Sequence, residues 1–182
     1  VWPQTPIVIG GLTASNFAEE ILANFPAVDF IIRGDAETPL TQLAAYCASD
    51  QTVGLAAIPN LLYRQAGQIN QNGRAYFAGP ADLDALDFVT IDWLHHHRSY
   101  AAMQHYGQGR LDLLNPTRLG HWLTVGRGCV FNCAYCGGTQ QAHEELAGRH
   151  GYVVRSPEKV VDDIARLAAD GYQKVALSLD IA

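Results

Sequence analysis

Positive charge is scarce in this chain: 12 Lys and Arg stand against 18 Asp and Glu, for a formal net charge of −6, and the basic residues are scattered. A polynucleotide partner needs a clustered basic footprint, so nucleic-acid substrates are disfavoured. Long apolar runs are lacking as well. No stretch approaches the roughly 20 apolar residues that cross a bilayer, and no charged-then-apolar leader precedes a cleavage site. The expectation is a soluble cytoplasmic protein without a membrane partner. With 48% hydrophobic and 16% charged content over 182 residues, disorder and low complexity are excluded, and there is room for one domain or parts of two. The chain begins with Val1 rather than methionine, enters a strand pattern within six residues and stops at Ala182 directly after another, which reads as an internal fragment of a longer frame.

Cysteines are also few, four in all, but three of them crowd into Gly126-Arg127-Gly128-Cys129-Val130-Phe131-Asn132-Cys133-Ala134-Tyr135-Cys136-Gly137-Gly138. This C-x3-C-x2-C loop follows the apolar run Trp122-Leu123-Thr124-Val125. Three thiolates on one short loop must converge, and the flanking glycines permit the tight backbone that convergence needs. Iron–sulfur clusters normally take four thiolates, so a loop supplying three leaves one iron open for chemistry. A structural zinc site is the competing reading, with His121 or His143 as fourth ligand. Against it, no second two-ligand arm is visible. Disulfides are disfavoured, because cysteines this close form strained loops.

The spacing, with an aromatic residue before the last cysteine and glycine after it, resembles the radical S-adenosylmethionine (SAM) superfamily. That resemblance implies a 4Fe–4S cluster on Cys129, Cys133 and Cys136, whose free iron chelates the amino and carboxylate groups of SAM. It places Tyr135 against the adenine, with Gly137 and Gly138 beside it, and implies a polar group near the SAM amino group at Asp180. An electron from the reduced cluster would then release a 5′-deoxyadenosyl radical. An electron donor such as flavodoxin or ferredoxin and a small-molecule or peptide substrate are the implied partners. The fuller acidic SAM motif of many members is not recognisable before the chain stops.

Upstream, the pattern is βαβα. Residues 6–9 form an apolar run suited to a strand buried on both faces, ended by Gly10-Gly11. A helix is expected from Ser15 as N-cap, with Phe17, Ile21, Leu22 and Phe25 on one side, ended by Pro26. Residues 28–32 give a second buried strand, Gly34 a turn, and Leu40, Leu43, Ala44 and Cys47 the apolar face of another helix. Cys47 reads as a small buried hydrophobe in that stripe. Residues 59–64 and 68–70 flank Gln65-Ala66-Gly67 as a hairpin. Residues 76–120 lack clean periodicity and read as a linker with some local helix.

From residue 121 the order is strand, cysteine loop, helix, strand. Ser156 and Pro157 start the helix, Val160, Val161, Ile164, Leu167 and Ala168 form its face, Gly171 stops it, and residues 174–180 are the second strand. Units of this kind build parallel barrels whose active sites lie at the C-terminal strand ends, where the cysteine loop falls.

The first block, with Gly10-Gly11 and then Val28-Asp29-Phe30-Ile31-Ile32-Arg33-Gly34-Asp35-Ala36-Glu37, resembles the cobalamin-binding domain that precedes the radical SAM core in one large subgroup. There the Gly-Gly leaves room for the nucleotide tail of cobalamin, here at Gly10 and Gly11. The Asp-x-His-x-x-Gly motif of that domain is absent from this chain. Glu37 fits the acidic turn and also suits the N-terminus of the following helix.

The resulting expectation is an α/β chain. Residues 1–75 are the later part of a doubly wound parallel cobalamin-binding-like sheet, residues 76–120 a linker, and residues 121–182 the first βα units of a partial TIM-type barrel. The implied function is reductive SAM cleavage with cobalamin, for methyl transfer or another radical modification. Alternatives are a cobalamin-free docking domain on a radical SAM enzyme and a zinc-stabilised binding module. His95-His96-His97 reads as a surface loop, since three consecutive residues do not face one centre. His121, at the start of the strand before the cluster loop, reads as a bordering residue, and Arg127 either steadies the cluster or faces solvent.

Overall fold

A computed structural model describes residues 5–48, 53–106 and 119–180. Its described residues divide into two compact units that interleave in sequence: those up to Ala78 with Gly128–Tyr152, and those of Gly79–Arg127 with Val153–Asp180. The cysteine loop thus belongs to the first unit.

The first unit holds a four-stranded sheet in the order β1 (Val8–Ile9), β2 (Phe30–Ile32), β3 (Leu61–Gln65), β4 (Gln68–Gln71). Only β1 and β2 run parallel; β3 is antiparallel to β2, and β4 to β3. The expected wholly parallel sheet is therefore mixed. Only half of this is local: Ala66 (φ 50) and Gly67 (φ 77) form a two-residue turn that returns β4 antiparallel to β3, whereas the antiparallel pairing of β3 with β2 joins segments remote in sequence. Side chains alternate across the sheet. Ile31 and Leu62 pack with Ala14, Ala18 and Leu22 from α1 (Leu12–Asn16) and α2 (Ala18–Asn24). Ile32, Leu61 and Tyr63 pack with Leu43 of α3 (Glu37–Cys47) and with Ile58. The described helices thus cover both faces.

Several expectations shift here. Ile7 and Val8 are exposed rather than buried, because β1 lies at an edge of the described sheet. Ser15 is not an N-cap: α1 begins earlier, at Gly11, and the buried Ser15 hydroxyl donates to Gly11 O at 2.9 Å and accepts from Gly34 N at 3.1 Å. Phe17 and Phe25 point to solvent, while Ala14, Ala18 and Leu22, spaced by four, form the buried stripe. Cys47 is exposed at the last turn of α3. Partial desolvation first, and then the Asp29 carboxylate, push its thiol pKa up.

The second unit contains α4 (Pro80–Asp84), α5 (His97–Tyr106), β5 (Leu119–Gly128) as far as Arg127, the last two residues of β6 (Tyr152–Val154), α7 (Pro157–Ala169) and β7 (Tyr172–Asp180), while α6 (Gln140–Ala142) belongs to the first. The two helices α4 and α5 fall within the expected linker, and its residues 107–118 lie outside the described set. The second sheet runs β6-β5-β7, with β5 and β7 parallel. Ser156 caps α7, its Oγ accepting from Lys159 N at 3.4 Å, and Pro157 follows as the first helical residue. Leu167 is fully buried with Leu123 and Val89, and Val160 and Ile164 line the same core. Val161 and Ala168 are exposed, and Asp163 takes the core position instead.

Asp163 is tolerable there because Arg155 neutralises it. Arg155 Nη2 meets Asp163 Oδ2 at 2.5 Å, Nη1 donates to Thr124 O at 3.1 Å, and the guanidinium lies 4.7 Å from the centre of the Phe88 ring. Asp84 stands 3.8 Å from Arg155 Nε and accepts from Ser156 N at 3.1 Å. Among the described residues, no helix is long and apolar enough to cross a membrane.

Candidate iron–sulfur centre

The register of β5 on β7 is shifted between Thr124 and Gly126, an irregularity of the kind that re-aims a strand next to a functional loop. β5 ends at Gly128, whose φ is 95; a Cβ there would lie 2.6 Å from Gly151 O. Neither the backbone angle nor the space admits a side chain. Gly128→Ala should therefore cost on the order of 1–3 kcal/mol from the angle alone, and the collision adds to it. The measurement is chemical denaturation beside iron uptake, with loss of both expected.

Cys129 follows directly. Its Sγ accepts from Phe131 N at 3.3 Å, and Cys136 Sγ accepts from Gly138 N at 3.4 Å. Cys136 N donates to Cys133 O at 3.1 Å, turning the chain between the last two cysteines. The loop is closed by Gln140 N donating to Phe131 O (2.9 Å) and Gln141 N donating to Asn132 Oδ1 (2.9 Å). Thr139 caps α6, its Oγ1 accepting from Ala142 N at 3.1 Å. Asn132 and Thr139 were not singled out in the sequence. The signal was present, since Asn and Thr before a helix offer side-chain oxygens to orphan backbone donors.

All three cysteines are half-buried. Among the described residues no three Cys, His, Asp or Glu side chains are gathered closely enough to hold a single metal ion. Thiolate sulfurs are the donors that iron–sulfur clusters take, and hydrogen bonds to those sulfurs tune such clusters. The loop, with three cysteines and two N–H···S contacts, fits that group. Tyr135 is 93% exposed, so its ring is available to a planar ligand. Gly137 is exposed and Gly138 buried.

The remaining sequence candidates separate. Asp180 ends β7 and pairs in register with Arg127, two residues before Cys129. His121 is buried in the second unit. Its Nε2 lies 2.7 Å from Phe88 O, which can only accept, and its ring meets Tyr172 edge-on. His143 is buried in the π-helical turn His143–Ala147. His95 and His96 are exposed, their rings 4.0 Å apart, as a surface loop predicts, but His97 is the half-buried first residue of α5. Glu37 lies in the first turn of α3, where its charge offsets the helix dipole.

Gly10 and Gly11 lie between β1 and α1. A Cβ on Gly10 would make an ordinary 3.5 Å contact with Ile32 O; at Gly11 (φ 91) it would meet open space. This glycine turn lies open at the C-terminal end of a parallel strand pair. A cavity of about 310 Å³ lies instead at the N-terminal ends of β5 and β7, lined by Leu119, Tyr172, Arg98 and Asp170 among others. Burial, and then the Asp170 carboxylate, push the Tyr172 phenol pKa up against the pull of Arg98. That end of a parallel unit is the one remote from barrel chemistry.

No family model matches the chain. It is 26% identical over 168 residues to the anaerobic magnesium-protoporphyrin IX monomethyl ester cyclase of Cereibacter sphaeroides, covering 92% of this chain and 24% of that protein. Among solved structures, it is similar to the radical SAM methyltransferase TsrM from Kitasatospora setae, determined with cobalamin and a 4Fe–4S cluster bound. The TM-score is 0.56 at 19% identity, over 96% of this chain and 31% of that one. The cobalamin-dependent SAM radical enzyme OxsB, with aqua-cobalamin and SAM bound, matches at TM-score 0.55 and 16% identity, over 96% and 21% of the two chains. The chain thus spans about a quarter of the curated relative and less than a third of these solved chains. Over nearly its whole length the chain has the fold of the corresponding parts of TsrM and OxsB.

Proposed function

We propose that this chain is part of a radical SAM enzyme that holds a 4Fe–4S cluster on Cys129, Cys133 and Cys136 and uses cobalamin for methyl transfer or another radical modification. The observation that carries the reading is the C-x3-C-x2-C loop directly after β5, with backbone N–H groups aimed at two of its sulfurs. Once bound, the cluster would supply one electron to cleave SAM reductively. The chain's own residues do the rest. Three thiolates leave the fourth iron position to a ligand, Tyr135 offers an exposed ring to adenine, and Gly137 and Gly138 let the ligand approach the backbone. Asp180, at the end of β7, is the acidic group for the SAM ammonium. Gly10 and Gly11 leave the end of β1 open to cobalamin. On this reading β5, α7 and β7 are the first units of a partial barrel, and an electron carrier such as flavodoxin or ferredoxin reduces the cluster. The substrate is a small molecule or peptide, and the reaction takes place in the cytoplasm.

The test is anaerobic incubation of iron- and sulfide-reconstituted protein with SAM and a chemical reductant. Release of 5′-deoxyadenosine is expected. A reconstituted, cluster-bearing protein that leaves SAM intact would contradict the proposal. Titration with hydroxocobalamin tests the second cofactor, with a shifted visible spectrum as the expected result.

A further inference from the structure

The chain returning from the cysteine loop is fastened to the first sheet by an ion pair, several hydrogen bonds and one aromatic ring. Asp35, just past the end of β2, is 4% exposed and is ion-paired with Arg149, itself 6% exposed. Arg149 Nη2 also donates to Ala78 O at 2.8 Å, while Ala78 N donates to Asp35 Oδ2 at 2.8 Å. Three segments far apart in sequence therefore close on one another. The strand-like strap of residues 73–78 adds two more ties. Arg74 Nη1 donates to Glu145 O (2.9 Å) and Leu146 O (3.2 Å), carbonyls at the C-terminal end of the helical segment, where a cation is favoured. The Phe77 ring closes over Gly148, 3.3 Å from where a Cβ would stand.

Asn60 fixes the strap in turn. Its Oδ1 accepts from Ala75 N (3.0 Å) and Tyr76 N (3.2 Å), and its Nδ2 donates to Tyr76 O (2.9 Å) and Asp35 O (3.1 Å). Beneath, α1 packs on the π-helical turn. Gly34 comes so near that a Cβ would lie 2.8 Å from Ala147 O.

A buried ion pair contributes little net stability compared with apolar packing, so stability alone does not account for one at this place. What it does specify is geometry. The helical segment 140–147 carries at its N-terminal end the hydrogen bonds from Gln140 and Gln141 that close the cysteine loop. Its C-terminal end is the one held by Asp35, Arg149 and the strap. Fixing one end of a rigid segment fixes what hangs from the other.

We infer that Asp35 and Arg149 are positioning residues for Cys129, Cys133 and Cys136: their ion pair, with the 73–78 strap, holds the loop in register with the C-terminal ends of β1 and β2. The inference rests on the proposed function only for the use to which the loop is put. Its test uses reduced, metal-free protein, so its failure is separable from a failure to assemble a cluster or to cleave SAM.

The experiment is pulsed alkylation read cysteine by cysteine by mass spectrometry, with Cys47, exposed on α3 of the same unit, as internal standard. In Arg149→Met and Asp35→Asn, alkylation of the three loop cysteines should accelerate on the order of tenfold as the segment opens locally. Cys47 should keep its rate and the circular dichroism spectrum its shape. Arg74→Ala, at an exposed side chain, should give a smaller rise in the same direction, and it decides the matter if a buried-pair variant fails to fold. Unchanged loop-cysteine rates in the folded variants, or a rise that Cys47 shares, would overturn the inference.

Discussion

Alanine at Cys129, Cys133 or Cys136 is expected to abolish cluster assembly and, with it, SAM cleavage to below detection. A cubane held by three thiolates has no protein ligand in reserve. The surrounding hydrogen bonds cannot compensate, because at Cys129 and Cys136 the sulfur is itself the acceptor. Iron and acid-labile sulfide per chain, measured after reconstitution, should fall together in all three variants, while Cys47→Ala leaves both unchanged. The fold should survive, since the three side chains are only half-buried. A single variant that retained full iron and SAM cleavage would show that its cysteine is not a ligand.

Breaking the other buried pair should have the largest effect on stability. Arg155→Met leaves the buried Asp163 with only Arg166, at 3.4 Å, as a cation, and Asp163→Ala leaves Arg155 with only Asp84, at 3.8 Å; the Arg155 and Asp163 side chains are 0% and 1% exposed. Truncating one member of such a pair costs about 3–5 kcal/mol, a large fraction of the stability of a typical domain. Arg155 also donates to Thr124 O and lies over Phe88, so its loss removes one tie between β5 and the segment preceding α7, leaving the backbone bond from Arg155 N to Val125 O. Asp163→Ala removes only the carboxylate. Both variants should lower the denaturant midpoint. The double variant, with no uncompensated charge, should recover part of the loss, and simple additivity would show that the two are not energetically coupled.

What the sequence reveals follows the range of the interactions involved. The cysteine loop, the Ser156-Pro157 helix start and the Ala66-Gly67 hairpin are decided within a few residues, and each is legible as written. Burial is decided by neighbours that are remote in sequence. Ile7 and Val8 read as a doubly covered strand from their apolarity, yet their place at the sheet edge exposes them. Phe17 and Phe25 outweigh Ala14 and Ala18 in any count of apolar residues, but the smaller side chains are the ones that let α1 and α2 approach the sheet. Asp163 breaks the apolar stripe of α7 only until Arg155 is seen beside it. Asp35 and Arg149 stand 114 residues apart, and no local pattern announces that they meet. The mixed sheet has the same origin: βαβα order suggests parallel strands, whereas pairing of β3 with β2 is a tertiary outcome.

The proposed role of the loop is to bind a cluster with one iron open to SAM. Electron paramagnetic resonance of the anaerobically reconstituted, reduced protein, recorded with and without SAM, reads that iron. A cubane signal whose g values shift when SAM is added is expected. A colourless protein that retains zinc and gives no such signal would contradict it and leave the loop a structural role.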